Sequence, residues 1–441
     1  AAAEAPAPRP ELPPFLKRLL RMHIGGSLSL NWRLVGPREP GFETQIQHEV
    51  FLADMYFGAD GPFVDDIPFT IEFNMPTVSQ GRPQLNQLNF EYRGLEGWRF
   101  QFGQFLVPFG RYNELYRPDQ FIAVTRPLLY ASPDSLDLVV RVNSPRPPLS
   151  SGYTDIGARA TLYPPSKHPL IPAELTAFVV NGLGETSNRQ RTFPDPENLG
   201  IPGVPANGVN MDFGHRNNNL ADNNNNKAFG GRLVFSLGDV RLPWPIPENA
   251  LDLKGVWLGL SGMGGQYDLE AELNYQFYGV DLSFQYFGFD VTAEYVYGFN
   301  HFLAPLRVSS ATLASPVTQV RDFEINHGYF IQTSFPILRR PPIGQRLSGV
   351  LVFNQMFRRG PLLDLFLNHA AGGTTFPSLR AIGADALRLT RHMEKYTAAL
   401  NYQMSEHLTL KVEYSYWALQ GATTVPATDI YQSAASMVLS F

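Results

Sequence analysis

Apolar residues return at every second position through most of this chain, yet they never run together for long. In an extended strand successive side chains point to opposite faces, so such spacing gives each segment one apolar face and one polar face. Leu28, Leu30 and Trp32 mark one such face, as do Phe69, Ile71 and Phe73; Leu88, Phe90 and Tyr92; and Trp98, Phe100 and Phe102. The pattern continues in Ile156 to Leu162, Leu233 to Leu237, Val280 to Tyr286, Val291 to Tyr297, Tyr396 to Tyr402 and Leu408 to Tyr414. A membrane helix needs roughly eighteen or more consecutive apolar residues, and no stretch approaches that. Hydrophobic residues make up 44% and aromatics 13% of the chain, while the mean hydropathy is −0.15. Many aromatics without a hydrophobic run are what alternating, half-lipid-facing strands produce.

The opposite faces decide between a soluble and a membrane-spanning sheet. They carry Arg99, Gln101, Asp155, Arg159, Arg232, Asp281, Glu294, Lys411 and Glu413. A β-sandwich would have to bury these charges in an apolar core at high cost, whereas a water-filled interior solvates them. The expected fold is therefore all-β: a transmembrane antiparallel β-barrel of about sixteen strands, with eighteen if residues 136–142 or the stretch around Tyr267 add strands. Segments near Val50, Val256 and Val350 are apolar on both faces, which leaves their register open and allows bulges there.

Link lengths support the same reading, since such barrels alternate short turns on one side with long loops on the other. Short links fall at 94–97, around Gly288 and at 405–407; long ones at 106–151, 182–227, 301–322 and 358–392. The domain plan is a Pro-rich segment at 1–21 and a barrel at 22–441. Within the barrel, 106–151 is a constriction loop and 182–227 an Asn-rich external loop. The run Phe15 to Arg21 reads either as a frayed lead or as about two helical turns that touch headgroups or plug the barrel.

The segment from Tyr431 to Phe441 sets Tyr431, Ala435, Met437, Leu439 and Phe441 on one face and Gln432, Ser436 and Ser440 on the other. It resembles the C-terminal strand of bacterial outer-membrane proteins, where a final Phe with apolar residues behind it is the assembly signal. That resemblance implies an outer-membrane location, contact with outer-membrane lipid and recognition of Phe441, Leu439 and Met437 by the barrel-assembly machinery. The start at Ala1-Ala2-Ala3 reads as a mature chain whose signal peptide has been removed. With no Cys, the chain has no disulfide, thiolate chemistry or Cys-attached haem, which is compatible with an oxidising periplasm. A net charge of −5 argues against a nucleic-acid partner.

The stretch Gly103-Gln104-Phe105-Leu106-Val107-Pro108-Phe109-Gly110-Arg111-Tyr112-Asn113-Glu114, continuing through Arg117, Asp119 and Thr125-Arg126-Pro127, resembles the phosphate-selective porin-like family. Tyr278-Gly279-Val280-Asp281-Leu282 and Ala293-Glu294-Tyr295 are similar to later patches of that family. The resemblance implies a water-filled pore narrowed by a third external loop folded into the lumen, and a homotrimer. A pore discriminates by its diameter and by the charges at its narrowest ring. The candidates for that ring are Arg111, Glu114, Arg117, Asp119 and Arg126, with Tyr112, Tyr116 and Phe121 as bulk. The alternative is that these charges pair with one another or with the wall and pin the loop.

Inward basic candidates (Arg33, Arg93, Arg99, Arg159, Arg232, Lys395, Lys411) are matched by acidic ones (Glu72, Glu91, Asp155, Glu174, Asp281, Asp290, Glu294, Glu413), so no cationic ladder for phosphate emerges. Mixed walls create a transverse field that passes small ions of either sign. The leading expectation is an outer-membrane porin for passive diffusion of small hydrophilic solutes or ions, weakly selective and needing no cofactor. The other is a structural or scaffold barrel, plugged or partner-bound, that holds another envelope or surface component. Small residues suited to a trimer contact are Gly25, Gly26, Gly255, Gly259 and the alanines of the last strand. No metal site is expected, because Asp212 and Asp222 in the Asn-rich loop match no calcium-loop spacing. The chain also lacks a His-Glu-x-x-His or Gly-x-Ser-x-Gly motif, and no enzymatic activity is expected.

Overall fold

The computed structural model describes residues 21–35, 48–64, 67–76, 84–130, 152–165, 168–182, 227–242, 251–266, 273–308, 318–339, 346–359, 392–420 and 428–441. Its strands are β1 (His23–Val35), β2 (His48–Val64), β3 (Ile67–Pro76), β4 (Gln84–Tyr92), β5 (Trp98–Leu106), β6 (Thr154–Leu162), β7 (Glu174–Val180) and β8 (Ala228–Leu242). They continue as β9 (Leu251–Gln266), β10 (Leu273–Tyr286), β11 (Phe289–Val308), β12 (Thr318–Arg339), β13 (Arg346–Arg359), β14 (His392–Gln403), β15 (Leu408–Gln420) and β16 (Thr428–Ser440). Each pairs with its sequence neighbours, and β1 pairs with β16, so the sheet is a closed antiparallel barrel of sixteen strands. That closure leaves no place for the eighteen-strand alternative. No open edge remains to be satisfied, which a sheet surrounded by hydrocarbon requires.

The alternation read from the sequence maps onto the wall. Leu30, Phe90, Phe102, Leu400, Val412 and Tyr414 are exposed on the outside. Ser29, Asn31, Asn89, Glu294, Lys395, Lys411 and Glu413 are buried on the inside. On β16 the outward set runs Tyr431, Ala435, Met437 and Leu439, while Gln432 and Ser436 are buried. The seam is finished by Phe441, whose N–H donates to Gly26 O at 3.1 Å while Gly26 N–H donates to Phe441 O at 2.9 Å.

Short turns join β4 to β5, β10 to β11 and β14 to β15, all at one end of the barrel. The strand ends from which the long links leave, at Leu106, Val180 and Arg359, lie at the other end, as the alternation of long and short links requires. Between β11 and β12 the strands run further than the sequence reading allowed, to Val308 and from Thr318, so that link is shorter than 301–322. The doubly apolar segments resolve in different ways. Register shifts occur opposite β2 at Leu28/Leu30 and around Gly238 facing Val256, while the pairing of β13 with both neighbours runs through Val350 without a break. Val350 is apolar inward for another reason, given below. The Pro-rich residues 1–20, most of the Asn-rich loop (183–226) and part of the constriction loop (131–151) lie outside the described residues, as does the stretch 136–142.

Candidate functional site

The link between β5 and β6 leaves the wall and crosses the inside of the barrel. Its departure is set by glycine. Gly110 has φ +67°, and a Cβ there would run into the Glu294 carboxylate and the Tyr130 hydroxyl, so only glycine lets the loop lie this close to β11. Asn113 holds the two ends of the loop together. Its Nδ2 donates to Val107 O at 2.8 Å, and its Oδ1 accepts from Tyr153 N–H at 2.8 Å. Tyr112–Glu114 and Leu128–Tyr130 form single turns of 3-10 helix within the loop.

The loop docks on the wall mainly through groups of its own backbone. Gly110 N–H donates to Ser261 Oγ on β9 at 3.0 Å, and Tyr112 N–H to Glu294 Oε2 on β11 at 3.2 Å. Leu128 N–H donates to Asn354 Oδ1 on β13 at 3.2 Å. The Glu413 carboxylate on β15 accepts from Val124 N–H and Thr125 N–H, each at 2.8 Å, and from the Thr125 hydroxyl. Lys395 Nζ donates to Thr125 Oγ1 at 2.6 Å, and Lys411 Nζ to Pro118 O at 2.8 Å and to Phe121 O. An irregular segment deprived of bulk water must have its polar groups satisfied, and charged wall residues do so here with strong charge-assisted bonds.

Apolar packing fills the rest of the contact. Phe105, Val107, Phe109, Tyr112, Phe121, Leu129 and Tyr130 pack with inward residues of the wall that include Phe178, Met263, Tyr275, Phe277, Val296 and Phe330. Ala123 packs with Val350, Val352 and Ala399, and Val124 with Ala434. The inward apolar residue at Val350 is thus part of the seat for the loop.

The expected ring residues separate into two groups. Tyr112 and Tyr116 are buried, with Tyr116 OH donating to Glu72 Oε1 at 2.5 Å and accepting from Gln87 Nε2 at 2.8 Å. Arg126 is buried too, with its guanidinium over the Phe121 ring and Nη2 donating to Tyr116 O at 3.1 Å. Arg111, Glu114 and Asp119 are exposed, and Arg117 is half-buried. Arg111 Nη1 donates to Ser283 Oγ at 2.6 Å, and Arg117 stands 3.8 Å from both Glu72 and Asp119. The Glu114 carboxyl, reached by lumen water yet surrounded by protein inside the barrel, is held above its ordinary range, first by the resulting desolvation, while Arg232 and Arg159 pull it down and Glu174 and Asp281 push it up. Burial and the neighbouring Glu72 carboxylate push the Tyr116 hydroxyl up as well.

The expected lumen-lining residues divide in the same way. Glu294, Lys411, Glu413 and the pair Arg232–Asp281, 2.8 Å apart, are buried. Asp155 is buried and accepts from Tyr153 OH at 2.9 Å and from Gly182 N–H at 2.7 Å. Arg99 and Arg159 remain at least partly accessible, over the rings of Tyr163 and Phe105 respectively. Sequence reasoning passed over Asn113, Asn354 and Ser261, single polar residues whose roles depend on a loop arriving from elsewhere. Gly259, expected on the outside, faces inward, where a Cβ would strike Asp281, and Gly255 sits in a positive-φ bulge at +58°. Among the described residues no group of three or more His, Cys, Asp or Glu is placed to hold a metal ion.

The chain is similar to several solved structures. OprB of Pseudomonas putida, in a high-pH structure, is 8% identical, with 96% of this chain and 94% of that one covered and a TM-score of 0.53. OmpF of Salmonella typhi, in complex with daunomycin, is 10% identical, with 95% and 97% covered and a TM-score of 0.50. The outer-membrane channel DcaP of Acinetobacter baumannii is 11% identical over 95% and 97%, with a TM-score of 0.48. The likeness to OprB and OmpF is one of fold: the chain has the fold of outer-membrane porins. No family model matches the sequence, and no curated protein matches it at a significant level.

Proposed function

We propose that this chain is an outer-membrane porin that lets small hydrophilic solutes or ions diffuse passively with weak selectivity. One observation carries the reading: a long loop is fastened across the inside of a closed sixteen-strand barrel, with charges of both signs on its free side. A passage narrowed in this way selects by width and by local charge. Arg111, Glu114, Arg117 and Asp119 serve as the charged part of the constriction, with Arg159 and Glu174 of the wall within electrostatic reach of Glu114. Tyr112, Tyr116 and Arg126 act behind them by holding the loop in shape. Opposed charges of both signs orient dipolar solutes and give no strong preference for anions. The chain resides in the bacterial outer membrane, surrounded by its lipid and inserted by the barrel-assembly machinery, and works as a homotrimer.

Planar-bilayer recording of the purified protein tests the reading. Stepwise conductance with a small reversal potential under a salt gradient is expected. Silence under all conditions, together with copurification of a stoichiometric partner filling the barrel, would favour the scaffold reading instead.

A further inference from the structure

Trp257 on β9 is paired with Ser236 of β8 on one side and Ser283 of β10 on the other. Ser283 faces the lumen, since its Oγ accepts from the Arg111 guanidinium at 2.6 Å. Residues directly opposite in an antiparallel sheet share a face, so the indole points into the barrel as well. It is 40% exposed there. Other inward aromatics are covered: Phe178, Phe277 and Phe330 lie under the loop, Arg99 sits over Tyr163, and Trp417 is fully buried beside Lys395. Among the described residues no ring or cation lies against Trp257. A large apolar face left open to lumen water is surface that a passing solute can cover with a gain in free energy.

Two charges of opposite sign approach the same stretch of wall from the loop. Glu114 N–H donates to Arg111 O at 3.3 Å, closing the single 3-10 turn, and side chains three apart in such a turn eclipse one another. Arg111 and Glu114 therefore leave the loop on one side, both exposed, while Tyr112 and Asn113 between them are buried. Among the described residues no ion pair joins the two. Arg111 is instead held at Ser283, the residue beside Trp257. Glu114 lies within electrostatic reach of Asp281, two residues from Ser283 on the same face of β10, and of Arg232, Arg159 and Glu174. A guanidinium, a carboxylate and an open indole thus gather at adjoining positions on the side of the loop nearer the short turns.

Most small solutes would use only part of this set. An anion is drawn to Arg111 but repelled by Glu114, a cation the reverse, and a neutral polyol gives neither charge a counterpart. A solute with both charges close together on an apolar body suits all three groups. We propose that Arg111, Glu114 and Trp257 form a binding site in the passage for zwitterionic amino acids with an aromatic side chain. The solute carboxylate meets Arg111, its ammonium meets Glu114, and its ring packs against the indole. This assignment rests on the porin reading and gives the passing solute a chemical class.

Saturation-transfer NMR on the full chain in detergent, titrated with phenylalanine, tests the site without requiring conduction. The half-saturating concentration should lie about tenfold below those of glycine, which lacks the ring, phenylalanine amide, which lacks the carboxylate, and N-acetylphenylalanine, which lacks the ammonium. Trp257→Ala should raise the phenylalanine value about tenfold, and Trp257→Phe should bring most of it back. Arg111→Gln should abolish the preference over the amide, and Glu114→Gln that over the N-acetyl form. Should Trp257→Ala give no folded, heat-modifiable band on gels, these two loop variants decide, and full discrimination in both overturns the proposal. So does equal binding of all four solutes by the wild type, wild-type-like binding in folded Trp257→Ala, or tighter binding of glucose than of phenylalanine, which would make a polyol the occupant. Silence of the wild type in bilayers would count against the porin reading, whereas absence of these preferences in a conducting wild type counts against this site alone.

Discussion

Lys411 and Arg99 occupy equivalent places in the pattern, basic residues on inward positions of their strands, yet they live in different solvents. Lys411 is 2% exposed and spends its ammonium on two loop carbonyls, whereas the Arg99 side chain is 47% exposed at the short-turn end of β5, over the Tyr163 ring. The same contrast separates the buried Glu413, Glu294 and Lys395 from the partly accessible Glu91 and Arg159. Alternation sends a charge inward; whether it stays wet depends on where the loop lies. An inward charge under the loop is a structural anchor whose loss leaves buried partners unsatisfied. One on the open side is solvated, worth little to stability and available to ions in transit.

Substitutions at the two places should therefore differ in size and in kind. The largest effect is expected for Glu413→Ala, which strips the acceptor from two buried amides and the Thr125 hydroxyl and leaves Lys395 beside them. A loss of about 3–5 kcal/mol, the range for breaking a buried charged network, should appear as a lower unfolding temperature by heat-modifiable migration. Single-channel conductance should rise as the loop comes free, and an unchanged conductance would break the comparison.

Tyr130→Phe removes one donor from Glu294 and should cost about 1–3 kcal/mol, as expected for a buried acceptor left short of a partner. Val350→Thr puts a hydroxyl into the apolar seat of Ala123 and should cost about 1–2 kcal/mol, with noisier open-channel current. Arg99→Ala, on the open side, should change stability by no more than about 0.5 kcal/mol, yet move the reversal potential toward cation preference.

The smallest and most specific test is by pH. The Glu114 carboxyl is held above its ordinary range, so on acidification it takes up its proton before ordinary solvated carboxylates do. Negative charge then leaves the constriction, and selectivity should shift toward anions while those carboxylates are still ionised. Glu114→Gln should show that shifted selectivity already at neutral pH and lose this early part of the pH response.

The wall was largely legible because it obeys a local rule: Leu408, Leu410, Val412 and Tyr414 announce an outward face with no knowledge of the rest of the chain. Strand number and closure followed from repeating that rule. The places where it blurred are informative. Val350 and Val352 were ambiguous because the polarity of their inward face answers to Ala123, more than two hundred residues earlier in the chain. Gly259 was misplaced because a residue with no side chain gives no sign of its face, and only the Asp281 carboxylate above it shows that it points inward. In the loop, residue type pointed to charge and bulk but not to depth. Arg111 and Arg126 look alike in sequence, and only the fold leaves one exposed and buries the other over the Phe121 ring.

The anchoring of the loop also bears on the order in which the molecule can be made. Pro118 O and Val124 N meet Lys411 and Glu413 across separations of 293 and 289 residues. Contacts so distant along the chain close late, because the entropy of the intervening loop must be overcome before they contribute anything. Until β15 is in place the loop is held by Ser261, Glu294, Asn354 and Lys395 but lacks the Glu413 and Lys411 anchors of its 118–125 stretch. A half-assembled wall would therefore surround a passage that part of the loop does not yet narrow. The final narrowing is one of the last folding events, and chains stalled before that point should leak more than finished ones.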